Sequence, residues 1–174
     1  MNKNWYAVYT KPQCEKKVVA QLSKKRIESF APVNVRYAGN GNKRKLVTEQ
    51  LFPSFVFVYI PESDITTVRQ SSDVINFVYW LGKPAIIKSA EIENIQYFTG
   101  KYTDIELTKI PVNASGIVRI SNIPMKDIGS EAVYTAANTI KVTLPSLGYM
   151  MEVEAEIESA ESIELKTENA NLII

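Results

Sequence analysis

The sequence predicts an α+β fold, in which an antiparallel sheet with helices is followed by a small β-barrel. Two observations predict it. In residues 1–100, short apolar runs typical of strands alternate with stretches of helical periodicity, in the order β-α-β-β-α-β-α. After residue 115, only short strand-like runs separated by turn residues follow. The first pattern favours an antiparallel sheet with helices on one face, and the second favours a small barrel.

The chain begins with a predicted strand and helix. WYAVYT, residues 5–10, is aromatic and β-branched, which is typical of a strand. Pro12 would then open a helix at its first turn, where its missing N–H is harmless. The apolar residues of this helix recur at near-helical spacing, and they are Val18, Val19, Leu22 and Ile27.

A predicted hairpin follows. SFAPVNVRYA, residues 29–38, favours a strand, and KLVTEQLF, residues 45–52, favours the second strand of the hairpin. Between them, GNGNKRK (39–45) predicts a flexible tip, because glycine and asparagine permit tight turns. Three cations end this tip, so we expect it to be basic.

The run LFPSFVFVYI, residues 51–60, predicts a strand that is apolar on both faces. Because side chains alternate along a strand, Phe55, Phe57 and Tyr59 share one face. The other face is aliphatic and suits the underside of helices. The aromatic face has two interpretations: a second helix or a loop covers it, or it is an exposed interaction site.

The rest of the first unit and the second unit are predicted as follows. Residues 61–72 favour a helix capped by Ser63, residues 74–80 a strand ended by Gly82 and Pro84, and residues 89–98 a helix with Ser89 at its cap. The predicted organisation is a first domain over 1–100, a linker over 101–115, a small barrel over 116–160 and a tail over 161–174. We expect the tail to be disordered.

Within the barrel, YMMEVEAEIE alternates strictly between apolar and acidic residues, which indicates a half-buried strand. The longer stretch 150–166 is nevertheless rich in good helix formers. A barrel that switches to helix is therefore an alternative to the plain barrel, which we favour.

Composition excludes several classes of protein. The chain has 174 residues, 45% of them hydrophobic and 22% charged, as in folded globular proteins. No apolar run approaches the roughly 18–20 residues that cross a bilayer, and the N-terminus lacks a signal-like apolar segment. Cys14 is the single cysteine, so we expect a reduced, cytoplasmic protein. Histidine is absent, and there is no phosphate-binding or calcium-binding motif, so we expect no enzyme, no cofactor and no metal.

Charge is divided unevenly along the chain. Residues 1–100 carry 14 Lys and Arg against 8 Asp and Glu, a net charge of +6, whereas residues 101–174 carry 6 against 11, a net charge of −5. A basic first part and an acidic second part indicate two units with different partners.

The motifs resemble those of one family. WYAVYTKP, a basic helix, FAPV, LFPSFVFV and VINFV stand in this order and spacing, and GKPAII precedes the last helix of the first unit. In this combination they resemble the N-terminal (NGN) domain of NusG-type transcription elongation factors over residues 4–100. VRISNIPMKD and TLPSLGYMMEVE resemble the KOW domain that follows in this family, although Ile123 and Asp127 stand where glycines are usual. YTK, LFPSFVFV and PAII are similar to the specialised paralogues RfaH and the UpxY antiterminators of polysaccharide operons.

The resemblance implies an SH3-like barrel and a monomeric antitermination factor that binds RNA polymerase and suppresses pausing or termination. It implies a groove for the β′ clamp helices and a contact with the β subunit at Ile65 and Thr66. The polymerase-binding residues that it implies are Tyr9, Phe52, Pro53, Phe55, Phe57, Phe77, Trp80, Ile65 and Thr66. For Phe77, an ordinary core position is the alternative. The barrel would contact ribosomal protein S10 or Rho.

Nucleic acid is the second partner expected. The resemblance places Lys11, Lys16, Lys17 and Arg69 near the non-template DNA strand, and the cations of the predicted hairpin tip, Lys43, Arg44 and Lys45, would reach nucleic acid too. A solvated helix face is the alternative for these lysines. For the whole protein, the alternative functions are an RNA-binding module that stacks single-stranded RNA on the aromatic face, and a scaffold without a nucleic-acid role.

Overall fold

The computed structural model describes residues 2–110, 133–136 and 139–154, the backbone alone in 133–136. The first unit contains twelve elements, in the order β1 (Lys3–Thr10), α1 (Glu15–Lys24), β2 (Glu28–Phe30), β3 (Val33–Ala38), β4 (Lys45–Gln50), β5 (Phe55–Pro61), α2 (Ile65–Arg69), β6 (Val74–Phe77), β7 (Tyr79–Trp80), β8 (Lys83–Pro84), β9 (Ile86–Ile87) and α3 (Ser89–Lys101). The described part of the second unit contains β10 (Glu106–Lys109), β11 (Val133–Ala136), β12 (Thr139–Leu144) and β13 (Tyr149–Glu154). No helix in these ranges is long and apolar enough to cross a membrane.

The main sheet is antiparallel and has the order β2-β5-β1-β6, with β9 also paired to β1. β1 and β5 form its centre, where Trp5 lies opposite Tyr59, Ala7 opposite Phe57 and Tyr9 opposite Phe55. Together with the three helices, this sheet confirms the predicted α+β class.

The two faces of the main sheet support two separate cores. On one face, Val56, Val58 and Ile60 pack against apolar residues of α1 and α2, as the aliphatic face of β5 predicts. On the other face, Trp5, Ala7 and Phe57 pack against α3 and against the second sheet. The expectation that helices lie on one face only is therefore wrong, because Ile92, Ile95 and Phe98 of α3 cover part of the aromatic face.

The second sheet has the order β10-β13-β12-β11 and is antiparallel. Met151 and Val153 of β13 are buried while Glu154 is exposed, so the alternating pattern here forms the predicted strand. The sheet begins inside the predicted linker, because Glu106–Lys109 pairs with β13. The first residues of the predicted barrel (116–132), the predicted tail over 161–174 and the part of the alternating run after 154 lie outside the described residues.

Several element boundaries differ from the sequence predictions. The predicted strand over 29–38 is divided into β2 and β3 by the buried Pro32, which has no N–H for a ladder. The helix predicted over 61–72 is limited to Ile65–Arg69, after a 3₁₀ turn at 62–64. Ser63 does not cap this helix, since its hydroxyl bonds the Asp64 carboxylate instead. α1 begins at Glu15 rather than at Pro12, and Ser89 is the first residue of α3, with Lys88 at the cap.

Candidate functional site

Four rings form a continuous aromatic surface at one end of the main sheet, and we call Tyr9, Phe52, Phe55 and Phe57 the aromatic surface. The rings of Tyr9 and Phe55 are 4.6 Å apart between centroids. Phe52 meets Phe55 at 6.3 Å and Phe57 at 5.5 Å, in both cases edge to face. Aromatic pairs of this geometry are favourable beyond the area that they bury. The structure thus brings together four of the predicted polymerase-binding residues.

A tight turn at Pro53 and Ser54 positions these rings. Ser54 has φ of +64°, a left-handed conformation that is uncommon for a residue with a side chain. Its N–H donates to the Glu15 carboxylate at 2.6 Å, and its carbonyl accepts from Thr10 N–H at 2.8 Å. Because Glu15 is buried at the start of α1, the turn is fastened to the helix as well as to the sheet. The turn allows Phe52 to fold back over the face that carries Phe55.

Only part of the aromatic surface is accessible. Tyr9 is 41% exposed, and Phe55 is half-buried. Phe52 and Phe57 are 1% and 0% exposed, although no residue of α1 or α2 belongs to their cluster. The second sheet contributes to this burial, since the ring of Tyr149 meets Phe52 edge to face at 5.7 Å.

The contact between the units has an apolar and a polar part. Five residues of the second sheet join the core on the aromatic face, namely Ile140, Val142, Leu144, Met151 and Val153. Next to them, the carboxylate of Glu91 on α3 accepts hydrogen bonds from Ser146, at 3.1 Å from the N–H and 2.7 Å from the hydroxyl. Glu91 is fully buried, so this carboxylate fixes the turn between β12 and β13 against α3.

The remaining predicted polymerase-binding residues lie elsewhere. Phe77 is buried on the opposite face, edge to face with Tyr6 at 6.0 Å, and so occupies the core position that was the alternative for it. Ile65 packs against that same core, and Thr66 is exposed on α2. Trp80 is 56% exposed in the short hairpin of β7 and β8. It borders a cleft of about 500 Å³ between this hairpin and the 145–148 turn.

The predicted nucleic-acid residues fall into four groups. Lys11 and Lys17 both reach the carboxylate of Asp73, at 3.5 Å and 2.8 Å. Arg69 donates to the hydroxyl of Tyr79 and lies over the Phe77 ring. Lys16 is separate and lines a cleft of about 870 Å³ beside β3, β4 and β10. Lys43, Arg44 and Lys45 are exposed at the far end of the β3–β4 hairpin.

Asp73 links the first of these groups into a network. The hydrogen bond from Lys17 holds the pKa of Asp73 to about 2, against an ordinary value of 3.8, and the same contact raises the pKa of Lys17. The amide of Gln21 also donates to Asp73, at 3.2 Å. Sequence reasoning missed Asp73 and Gln21. The one signal for them was the spacing of Lys17 and Gln21, which puts both on the same side of α1.

The described residues define a class of protein. Aromatic and cationic contact surfaces on an α+β frame are typical of proteins that bind other macromolecules. Within the described ranges there is no cluster of three or more potential metal ligands.

Comparison with known proteins gives the family. Residues 3–96 match the family model described as "Transcription termination factor nusG". Two relatives, both "Transcription termination/antitermination protein NusG", cover 94% of this chain with their whole length. The protein of Bacillus subtilis (strain 168) is 29% identical, and that of Halalkalibacterium halodurans is 28% identical. A solved structure described as "Domain interaction in Thermotoga maritima NusG" is 23% identical, with a TM-score of 0.46, and covers 88% of this chain and 93% of that one.

This chain belongs to the NusG family. It is a transcription termination/antitermination factor of the kind that acts with RNA polymerase. The family resemblance inferred from the sequence motifs is confirmed.

Proposed function

We propose that this protein docks its aromatic surface on the β′ clamp helices of RNA polymerase and thereby suppresses pausing or termination. In this role the protein catalyses no reaction. By holding both sides of the polymerase cleft, it shifts a conformational population. The observation that carries the proposal is the continuous row of rings from Tyr9 to Phe52, which ends at the exposed ring of Tyr9, beside a fixed turn.

Docking of the whole surface requires the second sheet to move. Tyr9 and Phe55 are the accessible rings, and Phe52 lies beneath Tyr149. A clamp helix that contacts Phe52 therefore competes with the protein's own second sheet for the same face. Once displaced, the second sheet would contact ribosomal protein S10 or Rho.

The same proposal assigns the cations on and beside α1 and α2 to DNA contacts. Lys11, Lys17 and Arg69 would contact the exposed non-template strand. Lys11 and Lys17 share a carboxylate that is 7% exposed, while both lysines are more than half exposed. Their outer donors therefore remain available to phosphates. Lys16, on another side, would contribute less.

Regulation of particular operons, of the polysaccharide-biosynthesis type, is the finer part of the proposal. It rests on the YTK, LFPSFVFV and PAII motifs, which are similar to those of the specialised paralogues. Transcription through candidate leader templates, with and without the protein, tests it. Read-through on one class of leader only is the expected result, and equal read-through on all leaders would contradict it.

A binding measurement with core RNA polymerase tests the docking surface. The variant Tyr9→Ala with Phe55→Ala removes the two accessible rings, so we expect binding to weaken by at least about tenfold, since each ring contributes roughly 1.5–3 kcal/mol when buried. Tyr97→Ala is the matched control, because Tyr97 is a 38% exposed ring on the outer side of α3.

Single-stranded RNA is the second probe in this experiment and tests the alternative function. If the double variant keeps its polymerase affinity and loses RNA affinity, the aromatic surface stacks bases and the docking proposal is wrong. If polymerase affinity falls while RNA affinity is unchanged, docking is supported. The Tyr97→Ala control must match the wild type in both measurements.

A further inference from the structure

A two-stranded arm projects from the first unit. β3 and β4 pair with each other from Val33–Gln50 to Ala38–Lys45, and form a sheet of their own. We call residues 33–50 the arm. Thirteen consecutive residues, 37–49, are exposed. Six residues of strand span roughly 20 Å, so the tip of the arm lies about that distance from its base.

The base of the arm is rigidly anchored. Asn34 is 1% exposed, and its side chain makes two hydrogen bonds with Ile105. Its amide donates to the Ile105 carbonyl at 2.9 Å, and its oxygen accepts from the Ile105 N–H at 3.1 Å. The carboxylate of Asp104 accepts from the Tyr37 N–H at 3.1 Å. An isolated hairpin is marginally stable in water, so these contacts hold the arm in place.

In the part of the chain that the structure describes, the charged residues at the base of the arm are paired, whereas the cations at its tip are not. Arg36 pairs with Glu49 at 3.2 Å and lies 3.9 Å from Asp104. Between residues 37 and 48 the sequence has no acidic residue. Among the residues that the structure describes, none of the tip cations Lys43, Arg44 and Lys45 forms an ion pair.

The tip also has a defined shape. Gly39 has φ of +108°, and a Cβ there would lie 2.6 Å from the carbonyl oxygen of Lys43. No other residue fits this position, so the close approach sets the path of the chain into the 3₁₀ turn Gly41–Lys43. Lys43 ends this turn, and Arg44 and Lys45 come directly after it.

We propose that the arm binds the phosphate backbone of double-stranded DNA, with its tip in or across a groove. A two-stranded ribbon fits the major groove of B-form DNA, whereas the major groove of an RNA duplex is too narrow for side chains to read. Single strands bind to platforms of several rings, and the arm has one aromatic residue, Tyr37. This inference extends the proposed function and does not depend on polymerase docking.

The test is the salt dependence of binding by the full chain to a labelled 20-base-pair DNA duplex, measured by fluorescence anisotropy. The tip variant carries Lys43→Gln, Arg44→Gln and Lys45→Gln. Each cation that meets a phosphate contributes about 0.9 to the slope of log K against log salt. We therefore expect the slope to fall by about 2–3 in the tip variant.

The control variant carries Lys24→Gln, Lys83→Gln and Lys88→Gln, three exposed lysines outside the arm. It removes the same net charge, so we expect it to change the slope by less than about 1. An unchanged slope in the tip variant, equal losses in both variants, or no duplex binding by the wild type at low salt would each overturn the proposal.

Two further probes distinguish duplex DNA from the other nucleic acids that the arm could bind. A 20-nucleotide single strand and a 20-base-pair RNA duplex should bind with slopes that the tip variant does not change. If either probe loses as much slope as the DNA duplex does, the arm contacts phosphates in general and the assignment to duplex DNA is wrong. The tip variant should keep its affinity for core polymerase, so failure of this inference is distinguishable from failure of the docking proposal.

Discussion

Asp73 is the carboxylate that holds α1 to the loop before β6. Lys17 donates to it at 2.8 Å, Gln21 at 3.2 Å, and Lys11 lies at 3.5 Å. Mainly through the bond from Lys17, the pKa of Asp73 falls from 3.8 to about 2. A lowered pKa in the folded state means that ionised Asp73 stabilises the fold above pH 3.8. This contribution is lost as the pH falls from about 4 towards 2.

The substitution Lys17→Gln should raise the pKa of Asp73 towards 3.8, because it removes the main donor to the carboxylate. Gln21 and Ser72 still donate, so a partial rise is expected. NMR titration of the Asp73 side-chain carboxyl measures this pKa directly. The acid unfolding midpoint should move to higher pH in the same variant.

Lys24→Gln is the matched control, since Lys24 is an exposed lysine of the same helix. It should leave the titration of Asp73 where it is. If the pKa of Asp73 stays at about 2 in Lys17→Gln, Lys17 is not the cause of the low pKa.

At the scale of residues, the sequence predicts which side chains are apolar but not which face they join. Phe55 and Phe77 both stand in apolar strands, yet Phe55 lies on the aromatic surface and Phe77 in the opposite core. The difference depends on pairing, since Val8 and not Ala7 lies opposite Phe77. The hydrogen bond between Ser54 and Glu15 was equally unpredictable from the sequence, because it joins residues that are 39 positions apart.

Among the elements, the hairpin of β7 and β8 contains a local conflict. Its two turn residues, Leu81 and Gly82, have φ of +49° and +78°. Two-residue turns with both φ values positive favour Asn-Gly or Gly-Gly. Leu81 is 88% exposed, so no packing offsets its left-handed conformation.

The substitution Leu81→Asn should stabilise the protein by about 1 kcal/mol, because asparagine tolerates the left-handed region better than leucine does. Urea denaturation measures the gain as a higher midpoint at an unchanged slope. Leu81→Ala is the control: it removes the same apolar side chain and keeps a residue that disfavours positive φ. Equal midpoints for the two variants would refute the explanation from backbone strain.

Elements with a strong local pattern were predicted well, and those that depend on distant partners were not. β1 and β5 are aromatic and β-branched runs, α1 and α3 have helical periodicity, and the existence and type of all four agree with the structure. β10 was read as linker because ELTK is short and polar. It becomes a strand through its pairing with β13, whose paired residues are 40 to 46 positions further along the chain. The hydrophobic pattern of the sequence alone could not reveal that pairing.

For the whole molecule, the main departure from the sequence prediction is the cover on the aromatic face. Sequence reasoning left two interpretations open, a covered face and an exposed one. The structure combines them, since α3 and the second sheet cover Phe57 and Phe52 while Tyr9 is exposed and Phe55 is half-buried. Contacts between separate units leave no periodic signal in either unit. The opposite charges of the two parts of the chain were interpreted as a sign of different partners, which did not predict this contact.

The contact between the units sets the apparent affinity for polymerase if docking uses Phe52. A binding-competent state that is only partly populated lowers the measured affinity by its population. Tyr149→Ala removes the ring that covers Phe52, and aromatic pairs of this kind contribute about 0.5–1.5 kcal/mol. Because about 1.4 kcal/mol is a factor of ten, polymerase binding should tighten by about two- to tenfold.

Two measurements check this effect. Binding of an apolar dye by the free protein should rise in Tyr149→Ala, because Phe52 is uncovered whether or not polymerase is its partner. The affinity for core polymerase should rise in parallel, and the Tyr97→Ala control should change neither. More dye binding without tighter polymerase binding would show that the second sheet covers the face but does not compete for it. No change in either would show that Tyr149 does not hold the two units together.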